Sequence, residues 1–165
     1  MDITFVLVSK DEKEILRNLL EKYLYEFSQY DDADVNHMGF YGYDYLDYYW
    51  TDNNENRFAY FIKIDEKLAG FFMIREHENS GMAEFFIMNK YRRLGVGTYV
   101  MEFIFNKYKG KWQIGYTPRN KVAKIFWNKI VEKYTNGKYT LVKGNPKHKY
   151  KDNTLGEELI FEIKK

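Results

Sequence analysis

The stretch from Glu84 to Gly97, EFFIMNKYRRLGVG, holds the residue types and spacing most suggestive of chemistry. An apolar strand runs into a basic turn, and the turn opens a helix at the glycine pair Gly95 and Gly97. Glycines there let backbone N–H groups approach an anion closely, and the N-terminus of a helix adds partial positive charge. Arg92 and Arg93 stand beside the pair and can bind phosphate oxygens. The pattern R-x-x-G-x-G between strand and helix therefore predicts a cradle for a diphosphate.

Several other kinds of site are excluded by particular residues of this stretch or by the composition of the chain. Val100 occupies the position of the third glycine in a dinucleotide fingerprint, and there is no G-x-x-x-x-G-K-[ST] motif. The absence of cysteine excludes disulfides, a cysteine-based zinc site and a cysteine nucleophile. His37, His77 and His148 lie too far apart in sequence to form a local metal motif, so we expect no metal. A plain strand-to-helix turn, with glycines used only for chain reversal, is the alternative.

A second motif follows one helix and one strand later, in the segment Asn120–Trp127 with sequence NKVAKIFW. The first motif resembles the coenzyme A-binding motif of the GNAT superfamily, the GCN5-related N-acetyltransferases. The second is similar to that superfamily's N-x-x-A-x-x-F-aromatic helix. The resemblance covers residues from about 56 to 135 clearly, and two motifs in the correct order make it specific to the superfamily. Neither motif carries information on the acyl acceptor.

The resemblance implies that acetyl-CoA is the co-substrate. It places the pantetheine arm and acetyl group along the central strand, where the Ile87 N–H would donate to the thioester oxygen. It places the pyrophosphate on main-chain amides from Arg93 to Thr98, and gives Asn120 a hydrogen bond to the pantetheine arm. The cofactor-binding residues expected are Phe85, Phe86, Ile87, Arg92, Arg93, Leu94, Gly95, Val96, Gly97, Thr98, Asn120, Ala123 and Phe126. For Val96, Ala123 and Phe126 packing in the core is the favoured explanation, and a packed residue can border a ligand as well.

The chemistry that the resemblance implies is direct attack of a neutral amine on the thioester. Glu84 is the one carboxylate on the cofactor strand, and bulky aromatic neighbours would raise its pKa towards that of a useful base. The alternative for Glu84 is a structural hydrogen bond to a neighbouring loop. Many members of the superfamily carry a tyrosine as general acid where this chain has Trp127, and an indole N–H is no practical acid. Either another tyrosine, with Tyr134 the candidate, supplies the proton, or the thiolate leaves unaided.

The segment between residues 31 and 55 falls where the superfamily forms much of its acceptor site. It contains seven acids and no Lys or Arg, and residues 39–50 include seven aromatics. Aromatic faces and carboxylates suit a cationic group, which favours a polyamine, an aminosugar or a lysine-like side chain. Tyr41, Asp44, Asp47 and Trp50 are the substrate-binding candidates. The alternative is that these aromatics simply cover the apolar face of the first helix.

Two other function classes compete with an enzyme. Residues 89–165 carry 18 basic and 6 acidic groups, which would suit nucleic acid, although the net charge of the whole chain is only +2 and the lysines are spread rather than clustered. Nucleic-acid binding is therefore the less favoured class. A catalytically silent acyl-CoA-binding module is the other, and thiol release in the presence of amines discriminates it from an enzyme.

These motifs require a particular order of elements to position them. Hydrophobic periodicity predicts the order β-α-loop-β-β-β-α-β-α-β-β, a mixed α/β fold with a three-strand antiparallel meander and flanking helices, as in GNAT proteins. The predicted strands are 3–8, 58–64, 68–74, 82–88, 112–116, 139–143 and 158–163, and the predicted helices follow Ser9, Gly97 and Asn120.

The length and composition predict one domain over residues 1–165. No apolar run reaches the roughly 18 residues of a membrane span, and the N-terminus does not resemble a signal peptide. We therefore expect a cytoplasmic protein with a small-molecule amine or lysine-like acceptor, no membrane partner, and either a monomeric or a homodimeric state.

Overall fold

A seven-stranded sheet with the order β1-β2-β3-β4-β5-β7-β6 organises the computed structural model, which describes residues 1–51, 56–76 and 78–164. The strands are β1 (Ile3–Leu7), β2 (Asn56–Ile64), β3 (Lys67–Glu76), β4 (Ser80–Ile87), β5 (Gly110–Tyr116), β6 (Tyr139–Lys149) and β7 (Leu155–Ile163). The helices are α1 (Lys13–Asp31), α2 (Val96–Lys107) and α3 (Lys121–Thr135). Short 3-10 turns occur at Lys10–Glu12, Leu46–Trp50 and Asn89–Tyr91. The predicted mixed α/β order is confirmed.

Both faces of the sheet are covered by helices. On one face, the buried Leu16, Leu19 and Leu20 of α1 pack with Phe71 and Met73 of β3. On the other face, α2 and α3 form the larger apolar cluster with the sheet. A capping box begins the first helical turn, since the Ser9 amide and hydroxyl both donate to the Glu12 carboxylate.

Strand β6 is longer than the sequence predicted, since it extends to Lys149 rather than residue 143. Gly144, with a φ of +65°, and Pro146 interrupt the hydrophobic alternation within it, and the pairing with β7 shifts register on either side of Asn145. An edge strand tolerates such residues because one side of its backbone has no strand to pair with.

The centre of the sheet is split. All neighbouring strands are antiparallel except β4 and β5, which are parallel and pair only at Ser80–Trp112 and Gly81–Gln113. Beyond these pairs β4 continues to Ile87 along β3 alone. The two strands therefore diverge, and a gap opens at the C-terminal half of β4.

A bulge in β4 decides which side chains face which helix. Met73 of β3 pairs with Glu84 and Ile74 pairs with Met82, so Ala83 has no partner opposite. After the bulge, Phe86 packs in the cluster under α1, while Phe85 packs in the cluster under α2 and α3. Glu84 points to the α1 face as Phe86 does, because side chains two residues apart share a face of a strand.

None of the helices among the described residues is both long and apolar enough to cross a membrane.

Candidate functional site

A cleft of about 700 Å³ occupies the gap between β4 and β5. Its walls come from α1 on one side, from the turn before α2 and the start of α3 on the other, and from the segment after β6. Twelve of the thirteen residues expected to bind the co-substrate line this cleft: Phe85, Phe86, Ile87, Arg92, Arg93, Gly95, Val96, Gly97, Thr98, Asn120, Ala123 and Phe126. Leu94 does not line it and is half exposed.

The turn before α2 presents backbone amides to the cleft. Gly95 begins the helix in the left-handed region, with φ +76°, and a Cβ there would meet nothing within 4 Å. This glycine is therefore required by its backbone conformation. The first amides of a helix have no acceptor one turn back. The Thr98 N–H donates to the Gly95 carbonyl at 3.0 Å, so at the start of α2 the amides of Val96 and Gly97 are the ones available to an anion.

Gly97 is required for a different reason. A Cβ at this position would lie 3.0 Å from Cε2 of Phe126 and 3.1 Å from its Cζ. The ring of Phe126 in turn stacks on Phe85, with centroids 5.8 Å apart. The second glycine of the motif thus lets α2 approach the aromatic side chains of β4 and α3.

The two arginines of the turn are placed differently. Arg92 donates from Nη1 and Nη2 to the two carboxylate oxygens of Glu26 in α1, both at 2.5 Å, and from Nε to the Ile87 carbonyl at 2.7 Å. The Glu26 carboxylate raises the pKa of Arg92 further above its usual range. Arg93 is exposed, with a left-handed φ of +61°. The guanidinium of Arg92 is thereby committed to holding β4 against α1.

The amide of Ile87 points into the gap. The neighbouring Met88 N–H donates to the Ala69 carbonyl at 2.8 Å, on the side of β3. Because successive amides of a strand point in opposite directions, the Ile87 N–H points away from β3 and into the gap between β4 and β5. This is the orientation that a donor to a ligand carbonyl in the cleft requires.

Asn120 caps α3, since its Oδ1 accepts from the Ala123 N–H at 3.0 Å. Its side-chain amide group is left to donate. Trp127 is buried against Phe85 and Phe126, with ring centroids 5.5 Å and 4.9 Å away, and it lines the cleft. The position that holds a tyrosine in many superfamily members therefore contributes an apolar wall here.

Glu84 lies on the cleft surface under α1. Burial raises the pKa of its carboxyl to about 7, while hydrogen bonds from the Tyr23 and Tyr43 hydroxyls and the charge of Arg75 partly oppose this rise. The Tyr43 hydroxyl donates to Oε1 across 3.4 Å. The carboxyl group is thus poised to exchange a proton near neutral pH.

Three tyrosines around Glu84 were not singled out by the sequence. Burial, and next the charge of Glu84, raise the pKa of Tyr23 and Tyr43 well above the usual value and that of Tyr150 to about 12. These hydroxyls therefore stay protonated and can donate. Tyr23 follows Leu19 and Leu20 at helical spacing and looked like a core residue, whereas the position of Tyr150 after β6 left no local signal.

Tyr134, the candidate acid, is not among the residues that line the cleft. It lies in the last turn of α3, and its ring packs edge-on against Phe105 with centroids 5.1 Å apart. Burial raises the pKa of its hydroxyl.

None of the four substrate-binding candidates, Tyr41, Asp44, Asp47 and Trp50, is among the residues that line the cleft. Asp47 is exposed and pairs with Lys13 at 2.5 Å, and this pairing lowers its pKa. Trp50 donates to the Val8 carbonyl at 3.3 Å. Tyr41 hydrogen-bonds Ser28, with 3.3 Å between the hydroxyl oxygens, and Asp44 is exposed.

The family model for the Acetyltransferase (GNAT) family matches residues 14–130, which include both motifs and every cleft-lining residue except Tyr150. The chain belongs to the GNAT family. GNAT acetyltransferases use acetyl-CoA as co-substrate. A search of curated proteins gives no significant match to this GNAT protein.

Solved structures share the fold of this GNAT protein at low sequence identity. An N-acetyltransferase from Staphylococcus aureus Mu50 is 12% identical with a TM-score of 0.66, and the match covers 99% of each chain. An acetyltransferase from Thermus thermophilus is 13% identical with a TM-score of 0.67, covering 99% of this chain and 98% of that one. The ribosomal-protein-S18-alanine N-acetyltransferase from Escherichia coli is 9% identical with a TM-score of 0.63, covering 99% and 96%. These likenesses show the fold.

Within residues 1–51, 56–76 and 78–164, no group of three or more His, Asp or Glu side chains is placed to hold a metal ion.

Proposed function

We propose that this protein is an N-acetyltransferase that transfers the acetyl group of acetyl-CoA to a primary amine of a cationic small molecule or a lysine-like group. One observation carries the proposal: the turn with free helix amides and the raised-pKa carboxyl of Glu84 line the same cleft, at the point where β4 leaves β5. This arrangement supports an anion-binding turn and a base that share one cavity.

The co-substrate fits the residues present. The amides from Arg93 to Gly97 would hold the pyrophosphate, helped by the left-handed Gly95, whose carbonyl already accepts from the Thr98 N–H. The free edge of β4 and the Asn120 side chain would bind the extended pantetheine arm. When bound, acetyl-CoA supplies a thioester whose carbonyl carbon accepts the nucleophile and whose sulfur is the leaving group.

The protein's own groups then do three things. Glu84, as the carboxylate, takes the proton of the incoming ammonium, directly or through water, so that the neutral amine attacks. The Ile87 N–H donates to the carbonyl oxygen as negative charge develops there. The C–N bond forms as the C–S bond breaks, and the nitrogen loses its second proton to water. The thiolate leaves as such or takes a proton from water or from a tyrosine of the cleft.

A catalytically silent module is the second candidate, and Trp127 is the observation that favours it. Its indole occupies the position of the usual acid, and Glu84 already accepts hydrogen bonds from Tyr23 and Tyr43. Such a protein would bind acetyl-CoA and release it unchanged.

Thiol release tests the two candidates directly. Because the protein has no cysteine, every free thiol formed from acetyl-CoA with an amine present is CoA. We expect amine-dependent release well above the hydrolysis blank, and its loss in the Glu84→Gln variant. Binding of acetyl-CoA by calorimetry without release for any amine would favour the silent module instead.

A further inference from the structure

We infer that the acceptor is a primary amine that carries one positive charge on an apolar alkyl or aryl body, and that polycations are poor acceptors. This inference deepens the proposed function and rests on it. Its basis is the juxtaposition, on one side of the cleft, of a wall of aromatic rings with a single available carboxylate.

The aromatic wall consists of Tyr23, Phe27, Tyr30 and Tyr150, all of which line the cleft. Phe27 is its centre, with ring centroids 5.7 Å from Tyr23, 6.0 Å from Tyr30 and 5.9 Å from Tyr150. Each of the four is partly exposed and contributes to the surface of the cleft. The wall joins Glu84 through Tyr23, which also contacts Phe86 of β4 at 5.8 Å.

Carboxylates are scarce on this cleft. Among the described residues that line it, Glu26 and Glu84 are the two acids. Glu26 is held by both guanidinium nitrogens of Arg92, so its charge is already balanced. Glu84 is therefore the one acid of this lining that is available to an ammonium group.

Among the described residues 31–51, no acid lines the cleft to supply a further anchor. Asp47 pairs with Lys13, the Asp31 carboxylate accepts from the Ala33 N–H at 3.2 Å, and Asp44 faces solvent. None of these three lines the cleft. Asp52 and Glu55 lie outside the described residues.

The chemistry of selection follows from this lining. One ammonium group can pair with Glu84 and contact the tyrosine faces by cation–π interaction, while an apolar body covers the rest of the wall. A second ammonium on the same molecule would lose its hydration against aromatic rings with no carboxylate to pair with. The lining thus favours monoamines over diamines of equal length.

A matched pair of amines tests this selection. Hexylamine and 1,6-diaminohexane have the same chain length and differ by the second ammonium, and 2-phenylethylamine adds an aryl body. With the thiol-release assay, we expect kcat/KM for hexylamine and 2-phenylethylamine to exceed that for the diamine by at least about tenfold. Equal or higher kcat/KM for the diamine overturns the inference while the proposed function stands. A failure of every amine to release thiol overturns both.

A carboxylate introduced into the aromatic wall tests the inference independently. Phe27→Glu adds a second carboxylate beside the amine site, and we expect the diamine to gain relative to hexylamine by several-fold. Tyr150→Glu makes the same change from another element and serves if Phe27→Glu fails to fold. Tyr25→Glu is the matched control, because Tyr25 is on the same helix and 72% exposed. An unchanged ratio in both wall variants, or an equal change in the control, overturns the inference.

Discussion

Arg92, in the turn after β4, binds Glu26 of α1 through a fork of two 2.5 Å contacts and at the same time donates to the carbonyl of Ile87. The helix that carries the aromatic wall is thereby fixed to the strand whose amide faces the gap. The guanidinium holds the two sides of the cleft in register, a role that the position of Arg92 in the R-x-x-G-x-G motif did not suggest.

Replacing Arg92 by Lys keeps the charge but removes the bidentate contact. We expect a coupling free energy with Glu26 on the order of 1 kcal/mol in a double-mutant cycle with Glu26→Gln, and a fall in kcat larger than the rise in KM for acetyl-CoA. The pair Arg17–Glu14 on the same helix is more exposed at its acid and should couple by only a few tenths of a kcal/mol. An effect confined to KM for acetyl-CoA would instead place the Arg92 side chain on the phosphates.

The pH dependence of turnover should follow Glu84. Its pKa of about 7 means that the base form accumulates as the pH rises through neutrality. We expect kcat/KM for the amine, which reports the enzyme before the amine binds, to rise through an apparent pKa near 7. Glu84→Gln should lower kcat by at least about a hundredfold and remove this limb. A variant that keeps both the rate and the profile would leave Glu84 a structural group.

The free energy of unfolding should also depend on pH through Glu84, but it should fall as the pH rises. The folded state binds the Glu84 proton more tightly than the unfolded chain, so this group costs nothing below the unfolded pKa of 4.5 and destabilises progressively as the pH rises through 7. At pH 8 we expect Glu84→Gln to be more stable than the native protein by on the order of 1–3 kcal/mol, with the difference shrinking towards pH 5. Urea titrations at both pH values measure it, and Glu14→Gln on the exposed face of α1 is the control.

The tyrosine hydroxyls can be separated by Phe substitutions, which keep the ring. Tyr150 lines the cleft in the field of Glu84, whereas Tyr134 packs on Phe105 away from it. We expect Tyr150→Phe to lower kcat by about tenfold and Tyr134→Phe to change it by less than about twofold. The reverse order would restore Tyr134 as the acid that the sequence suggested.

The two glycines of the turn should respond differently to alanine. Gly95→Ala forces a side chain into a left-handed backbone, which costs about 1–2 kcal/mol, in open space. Gly97→Ala brings a methyl group to 3.0 Å from the Phe126 ring, so we expect it to lower the affinity for CoA. Adding Phe126→Leu should partly restore the affinity of Gly97→Ala and should not restore that of Gly95→Ala. Calorimetry with CoA and thermal unfolding give both quantities, and equal rescue of the two variants would disprove the assignment.

Local patterns sufficed for the order of elements and for the strand, turn and helix around Gly95, because each depends on residues close in sequence. The occupants of the α1 side of the cleft depend on contacts between distant residues. Phe27 meets Tyr150, and Asp47 finds Lys13 34 residues away, and neither pairing leaves a periodic trace. The acidic residues of 31–55 therefore suggested an acceptor site in that segment. The acids of the segment that the structure describes do not line the cleft.

The split between β4 and β5 has a mechanical consequence. Strands β1–β4 and β5–β7 form two half-sheets joined at the centre by two residue pairs. Arg119, which follows β5, also donates a hydrogen bond to the Tyr30 carbonyl of α1 at 2.6 Å. An extended molecule that hydrogen-bonds along the free edge of β4 would fill the gap and limit the motion of one half-sheet relative to the other. Amide hydrogen exchange in β5 should therefore slow when the cleft is filled, although β5 pairs fully with β7 on its other side.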